Sequence, residues 1–357
     1  MGNIKNTVWH RPFIVAGPCS VETREQTLQT CTELAEGGMV DMLRGGVWKP
    51  RTNPGSFEGV GEVGLGWLAE AKQSTGLPFG VEVVNSRHVE AALRYGADMV
   101  WIGARTTVNP FSVQEIVDAA KGTEVSLFLK NPINPDINLW AGALDRMLYA
   151  GIDPGRIALI LRGFSQGVHG SYRNPPMWHI ALEMRRRYPD VMMLCDPSHI
   201  CGNREGLLEI SRRAADLSFD GLMLESHIDP DTALSDAAQQ LTPAAMKGLL
   251  TKIKWREEDS SEPGFVRELE RCRSEIDHID AELFELLSRR MGISQEIGGI
   301  KKNNDVTIFQ PVRWERIVEK VMSRAATLDL SPEFLQAVLE AIHIESINHQ
   351  NKVMNPD

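Results

Sequence analysis

Residues 79–105 read FGVEVVNSRHVEAALRYGADMVWIGAR. The stretch opens on a short, nearly continuous apolar run, FGVEVV, and closes on another, MVWIGAR. Between them, SRHVEAALRYG has helical spacing and ends on a glycine suited to a C-cap. Runs this short and this uniformly apolar are those of strands buried on both faces, as in a parallel sheet. The same unit recurs. FIVAGPCS, VDMLRGG, VSLFLK, IALILRG, VMMLCDPSH and GLMLESH complete a set of eight runs, roughly 20 to 40 residues apart, up to about residue 255. FSVQEIVDAAKG and INLWAGALDRMLYAG supply further helices. Eight strand–helix units in about 250 residues predict an α/β fold, a closed TIM (β/α)8 barrel over residues 1–255. An open doubly wound sheet is the rival, but the even spacing and the missing GxGxxG favour closure.

What ends the runs carries the chemistry. In order they lead into Cys19, the loop with Arg44 and Lys49, Glu82, Arg105, Lys130, Arg162, Asp196 with His199, and Glu225. In a closed barrel these positions converge on the C-terminal rim, where barrel enzymes carry their active sites. Such charges crowded together are costly unless a metal and anionic ligands fill the mouth. The second loop is the densest. RGGVWKPRTNPGSFEG, residues 44–59, holds Arg44, Lys49 and Arg51 beside Thr52 in a stretch stiffened by proline and glycine. Arginine suits bidentate recognition of carboxylate or phosphate, and lysine adds a compact charge.

Cys19, His199, Glu225 and Asp236 form a mixed soft and hard set with metal-ligand chemistry. That combination suits a catalytic divalent ion such as Mn2+, with a coordination position left open, rather than a closed structural zinc site. Cys195 and Cys201 read as small buried residues and are left out of the set.

Composition narrows the partners. The 357 residues carry a formal net charge of −10, which argues against general binding to nucleic acid or to anionic membranes. Five cysteines without zinc-finger spacing fit a reducing cytoplasm. The start, MGNIKNTVWHRPF, lacks the apolar core of a signal peptide. No run approaches the roughly 18 apolar residues of a membrane span.

Residues 256–265, REEDSSEPGF, read as an acidic linker, after which the pattern becomes helical. Leu269, Ile276, Ile279, Leu283, Leu286, Ile293, Ile297 and Ile300 recur at spacings of three, four and seven, which predicts one long helix over 266–302. A second helix is expected over 312–327. A third starts at Ser331–Pro332, with Ser331 as N-cap, and ends near Lys352. A small all-α domain over 266–357 cannot build much core alone, so a homodimer through the long helix is expected.

Taken together, GPCS, RGG followed by KPRT, GVEV, IGART, LFLK, ILRG, DPSH and ES…DPDTALSD resemble the 3-deoxy-D-arabino-heptulosonate 7-phosphate (DAHP) synthases, in the short bacterial subfamily. The resemblance covers roughly residues 10–245. It implies condensation of phosphoenolpyruvate with erythrose 4-phosphate, the first step of the shikimate pathway, with a divalent metal ion. Lys49 and Arg44 would face the phosphoenolpyruvate carboxylate, and Arg105, Lys130 and Arg162 its phosphate. Arg51 and Thr52 would hold the aldose phosphate. The 3-deoxy-D-manno-octulosonate 8-phosphate synthases are the sister family. They usually carry an Asn-Arg-Ser-type segment where this chain has Pro50, Arg51 and Thr52.

Residues 266–352 resemble the all-helical chorismate mutases through ERCRSEIDHIDAELFELLSRRM, IGGIKK, PVRWERI and IHIESINHQ. This implies a bifunctional chain that also converts chorismate to prephenate. Arg290, Lys301, Arg313, Ser346 and Gln350 would line the site, with Arg273 supplied by the partner subunit. Arg290 and Lys301, eleven apart, fall nearly on one helix face and about 16 Å apart along the axis. Trp314 stands where the family usually has Glu, and Gln310 where an acidic residue is common. Those departures motivate an alternative in which this domain only binds chorismate or prephenate and regulates the barrel.

Overall fold

The computed structural model describes residues 10–49, 55, 57–165, 171–257 and 259–356. Pro50, Arg51 and Thr52 therefore lie outside the described residues. The chain divides into two compact units, Met1–Glu258 and Asp259–Asp357.

The eight apolar runs are eight parallel strands: β1 (Phe13–Gly17), β2 (Met42–Gly45), β3 (Phe79–Val83), β4 (Met99–Ile102), β5 (Ser126–Lys130), β6 (Ile157–Leu161), β7 (Met192–Cys195) and β8 (Gly221–Glu225). They close in sequence order into the expected barrel, with β1 paired to β8 from Phe13↔Gly221 to Gly17↔Glu225. Side chains alternate between two faces along each strand. One set, including Val15, Met42, Trp101, Phe128, Ile160, Leu194 and Met223, fills the barrel interior. The other, including Ile14, Leu43, Val81, Val100, Leu129 and Leu159, packs under the helices. This double burial is why the strands read as continuous rather than alternating apolar runs.

The same period of two builds the rim. Two residues beyond the interior Met42, Phe128, Ile160, Leu194 and Met223 come Arg44, Lys130, Arg162, Asp196 and Glu225. Each of these therefore continues the inward-facing row at the C-terminal end of its strand. The helices between strands begin on side-chain caps, among them Asn85, which accepts from the His88 N–H, and Asp136, which accepts from Asn138 and Leu139. Gly96, at φ +75°, lies just beyond the helix Ser86–Arg94, as its sequence position predicts.

In the second unit the long helix runs from Pro263 to Asn303, three residues earlier than its apolar pattern suggests. Glu262 caps it, accepting from the Gly264 and Phe265 N–H groups, and Pro263 suits the first turn. The expected second helix stops at Met322, and Ala325–Leu328 forms a separate turn of helix. Ser323 Oγ donates to the Lys320 carbonyl at 3.0 Å, a local bond that competes with the helical ladder. The third helix, Pro332–Met354, starts as predicted, with Ser331 capping Phe334.

The long helix approaches the third closely at Gly298, where a Cβ would lie 3.0 Å from Gln350 Cα. Met291, Ser294 and Gly298 on one side and Leu335, Ser346 and Gln350 on the other are the buried residues of these two helices. Most of the predicted apolar stripe stays uncovered within the single chain. Ile276, Ile279, Leu283, Leu286, Ile293, Ile297 and Ile300 are each at least 40% exposed. Among the described residues no helix is long and apolar enough to cross a membrane.

Barrel closure makes one position a sharp test. A Cβ on Gly221 would lie 1.9 Å from the Phe13 carbonyl oxygen on the neighbouring strand. Gly221→Ala forces β1 and β8 apart, so thermal unfolding of the barrel should fall by several degrees, as for an overpacked core costing about 1–3 kcal/mol. An unchanged melting temperature would mean that the two strands do not pair in this register.

Candidate active site

The rim side chains neutralise one another in buried pairs. Arg44 and Glu225 meet at 2.6 Å with side chains only 2% and 1% exposed. Lys130 and Asp196 meet at 2.8 Å, similarly buried. Between them stands Trp101, with the Arg44 guanidinium 4.8 Å and the Lys130 ammonium 5.9 Å from its ring centre. Trp101 Nε1 donates to Glu82 at 3.2 Å. Burial alone would raise the Asp196 carboxyl, but His199 and Lys130 hold it well below the usual carboxylate range. Glu225 is likewise held low against its burial by His199, Arg44 and Lys49. Both are therefore carboxylates at neutral pH.

Beside these pairs, one ligand atom each from Cys19, Glu225 and Asp236 lies within 4.8 Å of the others. Asp236 takes a left-handed backbone conformation, φ 47°, on the loop after β8. His199 stands at the edge of this cluster, its Nε2 3.8 Å from Glu225 Oε1. Its Nδ1 lies 2.7 Å from Asp196 Oδ2, close enough to pair electrostatically though off the hydrogen-bond line. A ligating histidine commonly has its second nitrogen held by a carboxylate in this way. The Cys19 thiol is pushed up to about 12, first by burial and then by the Glu225 charge, with Lys49 opposing. Two carboxylates and a thiol this close, two of them fully buried, form a donor set suited to a divalent cation that would turn the thiol into thiolate.

Above this cluster lies a cavity of about 250 Å³. Among the described residues five cations line it, Lys49, Arg105, Lys130, Arg162 and Arg173, against two carboxylates, Glu82 and Asp236. Lys49 Nζ reaches to 3.0 Å from Cys19 Sγ, joining the cavity to the ligand cluster. Arg162 falls to about 10, through burial and the crowding of Arg173 and Arg105. Its NH1 is aimed by Asn174 Oδ1 at 3.0 Å, and its backbone N–H by Asn131 Oδ1 at 2.7 Å. Cations packed this tightly favour an anion among them.

The expected rim residues thus divide. Lys49, Arg105, Lys130, Arg162, His199 and Asp236 line the cavity. Arg44 does not; it lies beneath, committed to Glu225. Sequence reading misses Arg173, which donates from NH1 to Asp236 Oδ1 at 2.9 Å and Gln239 Oε1 at 3.1 Å. It also misses Gln239, buried and donating to Glu225 Oε2 at 2.7 Å. Arg173 sits in a long loop after β6, where its only signal is one more arginine beside Asn174. Gln239 gives no signal in AAQQL.

The helical unit holds a second cleft, of about 470 Å³, lined by Arg290, Lys301, Arg313, Ser346 and Gln350 together with Arg316, Gln310, Trp314 and His343. Arg290 NH1 donates to Ser346 Oγ, and Lys301 Nζ to the Ile308 carbonyl at 2.5 Å. Trp314 stacks on His343, ring centres 4.1 Å apart. No carboxylate lines this cleft among the described residues. Arg273 is not there; it is exposed and pairs with Glu270 at 3.3 Å.

A sequence profile of the DAHP synthetase I family matches residues 4–261, and one of chorismate mutase type II matches residues 272–351. The chain is 33% identical over 241 residues to a phospho-2-dehydro-3-deoxyheptonate aldolase of Thermotoga maritima, covering 68% of each chain. A 2-dehydro-3-deoxyphosphooctonate aldolase of Nitratidesulfovibrio vulgaris is 28% identical, over 68% of this chain and 91% of its own length. Among solved structures, the Thermotoga maritima DAHP synthase superposes with a TM-score of 0.61 at 32% identity, covering 67% of both chains. A truncated form of that synthase gives 0.58 at 29% identity, covering 67% of this chain and 84% of its own. The family is generally metal-dependent. Strand order, rim chemistry and relatives agree: the chain belongs to the DAHP synthetase I family and carries a chorismate mutase type II domain after its barrel.

Proposed function

We propose that the barrel joins phosphoenolpyruvate to erythrose 4-phosphate and that the helical unit rearranges chorismate to prephenate. The observation that carries the first half is the five-cation cavity opening onto a thiol–carboxylate cluster. Phosphoenolpyruvate brings a phosphate and a carboxylate, and the aldose brings a phosphate and an aldehyde. Lys130, Arg105, Arg162 and Arg173 suit the first phosphate, and Lys49 the carboxylate. Arg51 and Thr52, outside the described residues, are proposed for the aldose phosphate.

Cys19, His199, Glu225 and Asp236 would hold a divalent ion such as Mn2+, which as a Lewis acid supplies stabilisation for negative charge on the aldehyde oxygen. The phosphoenolpyruvate methylene carbon forms the new bond to the aldehyde carbon. Water adds at the neighbouring carbon, and phosphate departs by carbon–oxygen cleavage. The residues contribute position and fixed charge in a largely buried mouth. Arg44 serves from below by keeping Glu225 ionised and oriented.

Chorismate is a dicarboxylate whose rearrangement needs no acid, base or metal. The cleft's Arg290, Arg313 and Arg316 suit its carboxylates, with Ser346 beside Arg290. Lys301 and Gln350 would donate to the ether oxygen as charge develops there. The exposed stripe on the long helix supports a homodimer, whose formation would bring the partner subunit's Arg273 toward the cleft.

Three outcomes follow. Arg162→Ala should raise the KM for phosphoenolpyruvate about 10- to 100-fold in steady-state assays, the worth of one charge-assisted contact of about 1.5–3 kcal/mol. An unchanged KM would remove Arg162 from the phosphate site.

Metal binding has a signature independent of turnover. Because the Cys19 thiol is held up near 12, Mn2+ added to chelator-stripped protein at neutral pH should release about one proton, and affinity should rise with pH. Cys19→Ala should abolish that release. Binding without proton release in the parent protein would take Cys19 out of the ligand set.

The purified chain should turn over chorismate, and Arg290→Ala should lower kcat/KM about 100-fold or more, as expected for a group that both clamps a carboxylate and aligns the reacting atoms. Tight chorismate binding without turnover would instead make the helical unit a regulatory module, the reading that Trp314 and the carboxylate-free cleft would then favour.

A further inference from the structure

Trp48 immediately precedes Lys49 in the loop after β2. Its indole lies flat against the His88 imidazole, ring centres 3.8 Å apart and planes 14° from parallel. His88 belongs to the first turn of the helix after β3, its backbone N–H fixed by Asn85 Oδ1 at 2.9 Å. The stack thus ties the loop of one strand–helix unit to the capped start of the next helix.

The surrounding contacts say what the ring is for. The His88 Nδ1 is buried and has no hydrogen-bond partner among the described residues. A histidine kept for hydrogen bonding would satisfy that atom. Here the face of the ring makes the defining contact. Burial lowers the imidazole from its ordinary range, so the stacked ring is neutral at pH 7.

On the loop side, the Lys49 N–H donates to the Glu58 carbonyl at 2.8 Å, and the Gly61 N–H to the Val47 carbonyl at 2.9 Å. Gly59, at φ +95°, lets the two strands of the loop close, because a Cβ there would sit 2.2 Å from the Val47 oxygen. The backbone is thereby pinned on both sides of Trp48, and the stack fixes the residue between. From that point the Lys49 side chain passes over Gly46, leaving no room for a Cβ there, and ends 3.0 Å from Cys19 Sγ.

We infer that His88 is a positioning residue of the synthase site: by stacking on Trp48 it fixes the Lys49 ammonium between the ligand cluster and the anion cavity. This rests on the reading of Lys49 as a substrate-facing group.

The test is steady-state kinetics of the metal-loaded full chain with phosphoenolpyruvate and erythrose 4-phosphate. His88→Ala and His88→Asn remove the flat ring and should each lower kcat/KM for phosphoenolpyruvate about three- to tenfold, the scale of one aromatic contact. His88→Phe restores a flat, neutral ring and should return the value to within about twofold of the parent protein. Proton release on Mn2+ binding should stay at about one proton in all three, since none of the four proposed ligands is replaced. A merely structural histidine would lower the melting temperature of the ring-less variants while leaving kcat/KM for phosphoenolpyruvate of the folded protein unchanged. If His88→Ala folds poorly, the comparison of His88→Asn with His88→Phe decides. Equal kinetics for parent and ring-less variants, or a His88→Phe as impaired as His88→Asn, overturns the positioning role. Parent turnover in the same assay reports on the synthase reading separately.

Discussion

Two buried ion pairs, Arg44 with Glu225 and Lys130 with Asp196, are the constraint on which the rest of the barrel mouth depends. Charges this deep are tolerated only when each has a partner, and removing one partner of such a pair typically costs about 3–5 kcal/mol. The pairs hold Glu225 and Asp196 as carboxylates where burial would otherwise protonate them. Glu225 then belongs to the thiol–carboxylate cluster, while Asp196 receives His199. Of the cavity cations above, Lys130 is held by Asp196 and Arg173 by Asp236, and the described lining still carries more cations than carboxylates. That excess of positive charge supports the proposed anionic substrates.

The helical unit works by a similar imbalance on a different scaffold. Its cleft gathers cations from the long helix and from the helix Pro311–Met322, while Ser346 and Gln350 come from the helix Pro332–Met354. The close approach at Gly298 brings Ser346 within reach of Arg290. What the unit lacks alone is cover for its long helix. Most of the apolar residues that predict that helix are left exposed, and the proposed homodimer rests on that stripe.

Much of this is legible in the sequence, for definite physical reasons. Strands buried on both faces leave a plain apolar signature, and the period of two carries each strand's register into its terminal charge. The order of residues along the chain therefore suffices to bring Lys49, Arg105, Lys130 and Arg162 to one mouth. The same reading brings Arg44 there, but Arg44 lies beneath the rim with its NH1 on Glu225 and is not among the residues lining the cavity. The pairing that decides this is 181 residues away. Arg173 and Gln239 escape notice because they sit in loops, where no periodicity fixes direction. The early start of the long helix turns on one capping side chain, Glu262, and the break at Ser323 on one hydroxyl.

Under the proposed function the mouth takes two phosphorylated substrates, one of them a four-carbon aldehyde. The direct measurement is consumption of phosphoenolpyruvate by the purified, Mn2+-loaded full chain with erythrose 4-phosphate and, in parallel, with arabinose 5-phosphate. Consumption should be rapid with the first aldose, far slower with the second, and lost with both on stripping the metal. Preference for arabinose 5-phosphate, or full activity of the stripped protein, would rule out the proposed reaction.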